Sequence, residues 1–228
     1  MLNGFYYGLK KFWFDLRSGD LIILFSSIVL AVTAISGVSF LGDRLQSSIK
    51  QQASVVLAAD MAFRSASPLP DDYLTSATNQ GLGVAKTVSF LSMALANNDN
   101  LLASIKATTS TYPLRGRVVL KDFKGEVLSN EKGTPNSGYI WVEPKLVDAL
   151  NLKQNNQLVI GNRSFVVEAI LDDYPDRNVG FLAFSPTIIA NIADLKSMGV
   201  IQTGSRVDYR QLFSGTEKQI NLFFDSVS

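Results

Sequence analysis

The sequence predicts an α+β protein, one N-terminal transmembrane helix followed by a mixed α/β domain on the far side of the membrane. Two observations predict it. Leu21 to Gly42, LIILFSSIVLAVTAISGVSFLG, is a run of 22 residues without a charge. Beyond it, short apolar runs bounded by Gly, Pro and Asn alternate with helix start and stop signals, the texture of strands and helices mixed along one chain.

The uncharged run covers about 33 Å as a helix, enough for the hydrocarbon core. Asp20 and Asp43 bracket it. A cleavable signal peptide is the competing reading, because Val32-Thr33-Ala34 could serve as a cleavage site. The apolar run continues past that point and a leader precedes it, so we expect a retained span. Lys10, Lys11 and Arg17 before the span, against Arg44 and Lys50 after it, favour an N-terminus inside and a C-terminal side exported.

In the leader, residues 1–20, Phe5, Leu9, Phe12, Trp13 and Leu16 share one helical face, with Lys10, Lys11 and Arg17 off it. That pattern suits a helix lying at the membrane interface; a plain cytoplasmic extension of the span is the other reading. Within the span, Ser27 with Ala31 and Thr33 with Gly37 form two small-xxx-small pairs, which let a neighbouring helix approach closely.

The exported part is expected to begin with a helix from Asp43 to Leu57. Pro70 and the two aspartates after it open a short helix that Gly81 ends. Strands are expected over Val84 to Leu95, Leu101 to Thr109, Val118 to Leu120, Glu126 to Leu128 and Tyr139 to Val142. Pro144 opens a helix through Leu150. Leu158 to Ile160 and Ser164 to Leu171 form a hairpin through Gly161-Asn162. A strand is expected over Phe181 to Phe184, then a helix capped by Ser185-Pro186 and stopped by Gly199. Arg206 to Leu212 alternates as a strand, and Thr216 with Gln219 forms a capping box for a last helix. That helix reaches Ser228 without a stop signal, as if the chain were a piece of something longer.

Function classes narrow quickly. Lys and Arg number 21 against 20 Asp and Glu, a net charge of +1, and no basic stripe with interleaved aromatics points to nucleic acid. The chain has no Cys and no His, which excludes Ser/His and Cys/His catalysis, disulfides, and zinc sites that need nitrogen or sulfur ligands. The absence of thiols fits an oxidising compartment. No GxxxxGK[ST] phosphate loop and no GxSxG elbow occur. Asp172-Asp173-Tyr174-Pro175-Asp176 is the one acidic cluster; it lacks EF-hand spacing and reads as a solvated loop. We therefore expect no catalytic residues, no cofactor and no metal.

The stretch from Gly19 to Leu74, with Tyr112-Pro113-Leu114-Arg115-Gly116, Trp141 to Ile160 (WVEPKLVDALNLKQNNQLVI) and Gly204-Ser205-Arg206-Val207-Asp208-Tyr209-Arg210, resembles the FtsX/MacB-type ABC transporter permeases, in particular their YbbP-like branch. Asn155-Asn156 replaces the Gly-Asp turn frequent in relatives, an exchange between turn formers. The resemblance implies an N-terminal piece of a longer inner-membrane permease, residues after 42 being periplasmic. It implies a separate cytoplasmic ABC ATPase as partner, and a periplasmic lipase or lysophospholipase as a further one. It also implies two periplasmic lobes, a porter-like one from residues 43–112 with 204–228 and a sabre-like one from 113–203. Such permeases convert ATP-driven motion into movement of their periplasmic domains. A complete single-span protein presenting a binding or scaffold domain is the rival reading.

Overall fold

A computed structural model describes residues 20–128, 133–177, 184–202 and 204–227. The interfacial leader residues Phe5, Leu9, Phe12, Trp13 and Leu16 lie outside the described residues. The chain divides into two compact units, Met1–Gln51 and Gln52–Ser228.

Helix α1 runs from Asp20 to Leu57. Its stretch Ile22–Gln46, 25 residues, is long and apolar enough to cross a membrane, and none of its most apolar window is buried. Its large side chains stand in the open all round, Ile23, Leu30 and Val38 each more than two-thirds exposed. A helix apolar on every side is stable only in lipid or among other apolar helices. Two of its hydroxyls are satisfied internally, Ser26 Oγ donating to the Ile22 carbonyl at 2.6 Å and Ser27 Oγ to that of Leu24 at 2.7 Å.

α1 ends on Ala58, which adopts a left-handed φ of +58°. The Ala59 N–H reaches back to the Ser54 carbonyl at 3.1 Å, closing the last turn. No glycine announces this stop.

The following elements are β1 (Met61–Ser65), α2 (Asp72–Asn79), β2 (Gly83–Ala96), β3 (Asp99–Thr108), β4 (Val119–Lys121), β5 (Val127–Leu128), β6 (Tyr139–Val142), α3 (Pro144–Ala149), β7 (Gln157–Ile160), β8 (Arg163–Asp173), β9 (Thr187–Asn191), α4 (Leu195–Met198), β10 (Val207–Ser214) and α5 (Glu217–Val227). The strands follow the order β1-β10-β2-β3-β9-β6-β8-β4-β5, while β7 pairs with both β2 and β8. That double pairing closes β2-β3-β9-β6-β8-β7 into a ring, so these strands form a small barrel. β10 and β1 extend the sheet beyond β2, and β4 and β5 extend it beyond β8.

Alternation along each barrel strand separates inside from outside. Val88, Phe90, Ile105, Ala107, Ile140, Val142, Leu158, Ile160, Phe165, Val167, Ile188 and Ala190 point inward as one buried cluster, with Leu146 of α3, Leu150 just after it and Met198 of α4 packed into it. On the inward side of β1 and β10, Phe213 and Phe63 meet Phe223 of α5 and Tyr73 of α2, the rings of Phe213 and Phe223 4.9 Å apart. Thr216 and Gln219 cap α5 as expected, the Thr216 N–H donating to Gln219 Oε1 at 2.9 Å.

One expectation changes, and one strand was not expected. The helix expected from Ser185-Pro186 to Gly199 is instead a strand and two short turns of helix. Thr187-Ile188-Ile189 is β-branched throughout and, with Ala190, wholly buried, and the segment pairs parallel to β3 and antiparallel to β6. The true cap lies later, where Asn191 Oδ1 accepts from the Ala193 N–H at 3.0 Å; only the left-handed stop at Gly199, φ +64°, stands as expected. Strand β1 carries no sequence signal strong enough to compete with the helix before it. Of the strand expected over Phe181 to Phe184, only Phe184 is described, and it lies outside any strand and is exposed. The β7–β8 turn at Gly161-Asn162 is as expected; Gly161 has φ +57°, and an added Cβ would sit 2.1 Å from the Met198 carbonyl oxygen.

Candidate functional site

The outward face at β3, β2 and β10 carries a buried charge network, whereas the inward positions of the barrel strands form an apolar cluster. Lys106 on β3 is 2% exposed, and its Nζ lies 2.8 Å from Asp176 Oδ1 and donates to the Asp176 carbonyl at 2.9 Å. The Tyr112 hydroxyl donates to the same carboxylate and to the Pro175 carbonyl, the latter at 3.1 Å. Lys106 Nζ also stands 5.8 Å from the Tyr112 ring and 5.2 Å from the Tyr174 ring.

From there the network runs outward. Arg210 Nη1 lies 3.6 Å from Asp176 Oδ2, and its Nη2 lies 2.7 Å from Asp208 Oδ2. Asp208 Oδ1 receives Arg64 Nε at 2.7 Å. The register explains the chain: Arg64 faces Arg210, and Arg210 faces Thr87, all on one side of three adjacent strands. Asp176 Oδ2, Thr87 Oγ1 and Thr108 Oγ1 are buried and make no hydrogen bond to a described residue.

Burial pushes the Lys106 ammonium below its usual range, against the pull of Asp176. Burial also raises Asp176, although Lys106, Tyr112 and Arg210 favour its charge. Tyr112 is held well above the ordinary phenol, first by burial and then by the Asp176 charge. Each charge is tolerable inside only because the other is beside it. The arrangement therefore works as a staple, holding the segment after β8 against β3, β10 and β1.

The acidic cluster read as a solvated loop is thus only partly one. Asp172 pairs with Lys121 at 2.9 Å and Asp173 with Arg177 at 3.0 Å, both substantially exposed, but Asp176 turns inward. Its three carboxylates diverge, and among the described residues no cluster of acidic side chains is arranged to hold a metal. Sequence reasoning missed Lys106 because a lysine in an apolar strand pattern reads as an edge residue, and its partner lies 70 residues away.

The helix-packing candidates lie on α1. Ser27, Ala31, Thr33 and Gly37 are exposed, and nothing lies within 4 Å of the position a Gly37 Cβ would take. At helical pitch the Ser27/Ala31 pair and the Thr33/Gly37 pair point about 120° apart. They are two separate notches rather than one groove.

No family model matches the chain. Over 213 residues, 93% of its length, it is 30% identical to YbbP of Escherichia coli (strain K12), an uncharacterized ABC transporter permease. The chain spans about a quarter of that protein's length, 25%. Among solved structures it is similar to the extracellular domain of the noncanonic ABC-type transporter YknZ from Gram-positive bacteria, with 12% identity, TM-score 0.48, and 69% of this chain and 79% of that one covered. It is also similar to the periplasmic region of MacB from Actinobacillus actinomycetemcomitans, with 11% identity, TM-score 0.47, and 75% and 85% covered. Those two likenesses are too distant to add to the sequence match.

Proposed function

We propose that this YbbP-like permease segment belongs to the membrane subunit of an ABC transporter, and that it turns ATP hydrolysis by a separate cytoplasmic ATPase into movement of a periplasmic domain that handles a lipophilic or envelope substrate. The sequence match along 93% of the chain is the observation that carries the reading. The exposed apolar stretch Ile22–Gln46 supports a membrane setting, and the basic residues Lys10, Lys11 and Arg17 before it favour an N-terminus inside with residues after 42 in the periplasm. A domain that transmits motion must move as a body, and a sheet closed on itself with a buried ionic staple on its outer face is built to resist internal shear.

The rest of the reading is part of the same proposal. The leader residues Phe5, Leu9, Phe12, Trp13 and Leu16 lie at the interface, and the notches at Ser27/Ala31 and Thr33/Gly37 each take a different neighbouring span. A porter-like lobe (43–112 with 204–228) and a sabre-like lobe (113–203) belong to the same proposal. A periplasmic lipase or lysophospholipase would be a further partner.

The test is co-purification of the full-length protein with its ATPase, together with ATPase stimulation in nanodiscs. Ala31→Leu and Gly37→Leu should lower assembly without preventing insertion, since leucine is at least as apolar, and Trp13→Glu should lift the leader off the interface. A wild-type protein that brings down no ATPase, with assembly unchanged in the leucine variants, would leave a single-span scaffold as the better reading.

A further inference from the structure

Only Ala58, Ala59 and Asp60 lie between the last residue of α1 and the first of β1. A three-residue connection can act as a hinge. Ala58 sits at φ +58°, where a residue with a Cβ stays only when its surroundings hold it there. Here they do. The Ala58 carbonyl accepts from the N–H groups of both Leu114 and Arg115, each at 3.0 Å. The side chains of Ala58 and Ala59 are wholly buried, in the cluster that also holds Ala85, Tyr112 and Leu212. The Asp60 N–H donates to the Phe213 carbonyl of β10 at 3.0 Å.

The Asp60 carboxylate then ties three stretches of chain together. Its Oδ1 accepts from Arg115 Nε at 3.0 Å and its Oδ2 from Arg115 Nη2 at 2.7 Å, the two-bond fork that fixes the planes of both groups. Oδ2 also accepts from the Gly215 N–H at 3.0 Å, in the turn between β10 and α5. The Ser54 hydroxyl, in the last turns of α1, hydrogen-bonds the same carboxylate. The loop bearing Arg115 lies against the helix as well, since a Cβ added at Gly116 would come within 3.3 Å of Val55 Cγ1. Arg115 is 44% exposed, so the pair is a weak source of stability. Its geometry is another matter: bonds to segments 55 and 155 residues away remove the rotation that three linking residues would otherwise allow.

We infer that Asp60 and Arg115 make the end of α1 a rigid joint rather than a hinge, and that they are the positioning residues through which a displacement of α1 reaches the sheet. The rigidity stands on the geometry alone; the role given to it rests on the proposed coupling to an ATPase. A free swivel at Ala58 would let the helix turn while the sheet stayed still. The clamp closes that escape, because the last turns of α1, the loop after β3 and the β10–α5 turn share one carboxylate.

The experiment uses the full-length protein, cleared of any other thiols, in nanodiscs with its ATPase. One pair of nitroxide labels goes on Ala53→Cys, exposed near the end of α1, and Met93→Cys of β2; a second pair, Val127→Cys of β5 with Met93→Cys, stays within the sheet. Pulsed electron spin resonance should give one narrow distance distribution for each pair, the same with an active and a catalytically inactive ATPase. Asp60→Ala, and to a smaller extent Arg115→Gln, should broaden the first distribution and leave the second narrow. A first distribution already broad in the wild type, or still narrow in Asp60→Ala, would overturn the joint. Broadening of both pairs in both variants would make the clamp a prop of the fold and overturn the inference too. Maleimide labelling of Met93→Cys is read on the same background, at a rate that should depend on ATPase activity in the wild type and lose that dependence in Asp60→Ala. Dependence retained in Asp60→Ala despite a broadened joint would overturn the positioning role. No dependence in the wild type, with the joint narrow, would sink the coupling reading and leave the joint standing.

Discussion

The inside of the barrel is wholly apolar, whereas its outside combines a second apolar cluster, Trp141, Leu171, Ile189 and Leu212 among it, with a buried network of charges. Inward positions of β2, β3, β6, β7, β8 and β9 form one apolar cluster. Their outward neighbours include Lys106, Ser104, Ser89 and Thr87 on β3 and β2, with Asp208 and Arg210 on β10 beside them. The interior is insensitive to partner identity, since any well-packed apolar set of the right volume serves. The exterior network is not: each charge is buried at a cost that only a specific partner offsets. Packing stabilises both faces, while the ionic joining of distant segments is confined to the outer one.

Removing one member of the staple should break this contrast most severely. Asp176→Ala leaves Lys106 buried without its counter-charge, and should cost about 3–5 kcal/mol in thermal or denaturant unfolding of the protein in nanodiscs. The paired change of Lys106→Met with Asp176→Leu should recover most of that loss, because a neutral pair of similar volume needs no partner. A double variant as unstable as the single one would show that packing, not charge, governs the outer face.

Inside, Leu158→Ala should cost about 2–5 kcal/mol, from lost burial plus the cavity left at a fully buried site. No second substitution of opposite charge can rescue it. Recovery by refilling the space from a neighbour, Ala190→Val for example, would be the matching control.

A smaller effect concerns Asp60, where α1 gives way to β1. Its carboxyl is held below the usual range: burial works to raise it, and hydrogen bonds from Arg115, 2.7 Å from its Nη2, and from the Gly215 N–H at 3.0 Å outweigh that. A depressed carboxyl stabilises the fold above its unfolded value and loses that contribution as pH falls through the folded one. Stability measured from neutral pH down through the carboxylate range should therefore fall less steeply in Asp60→Asn than in the wild type. The partner Arg115 is largely exposed, so the difference should be at most about 1 kcal/mol.

The two faces were also unequally legible in the sequence. Local chemistry located most elements: Pro144 at the start of α3, Gly161-Asn162 in the β7–β8 turn, and Thr216 with Gln219 at α5. Asn155 likewise supplies the left-handed turn residue, with φ +63°. What failed was whatever depends on distant pairing. Thr187 to Asn191 reads as the start of a helix from Ser185-Pro186, and becomes a strand only because β3 and β6 flank it. Closure of the barrel through β7 could not be seen, since its pairing to β2 spans only two residue pairs. Asp176 looked solvated because nothing local reveals Lys106. The apolar span needed no partner to be recognised, being set by length and absence of charge alone.

The proposed coupling, in which ATP hydrolysis on one side of the membrane moves a domain on the other, can be tested with a thiol on the outer face of the barrel. These 228 residues hold no cysteine, so Met93→Cys, in a protein otherwise cleared of thiols, places a single one at a half-exposed position there. In cells with an opened outer membrane and an intact inner one, a membrane-impermeant maleimide should label this thiol, at a rate that changes when the partner ATPase is made catalytically inactive. Labelling only after the inner membrane is breached would contradict the orientation, and a rate indifferent to the ATPase would contradict the coupling.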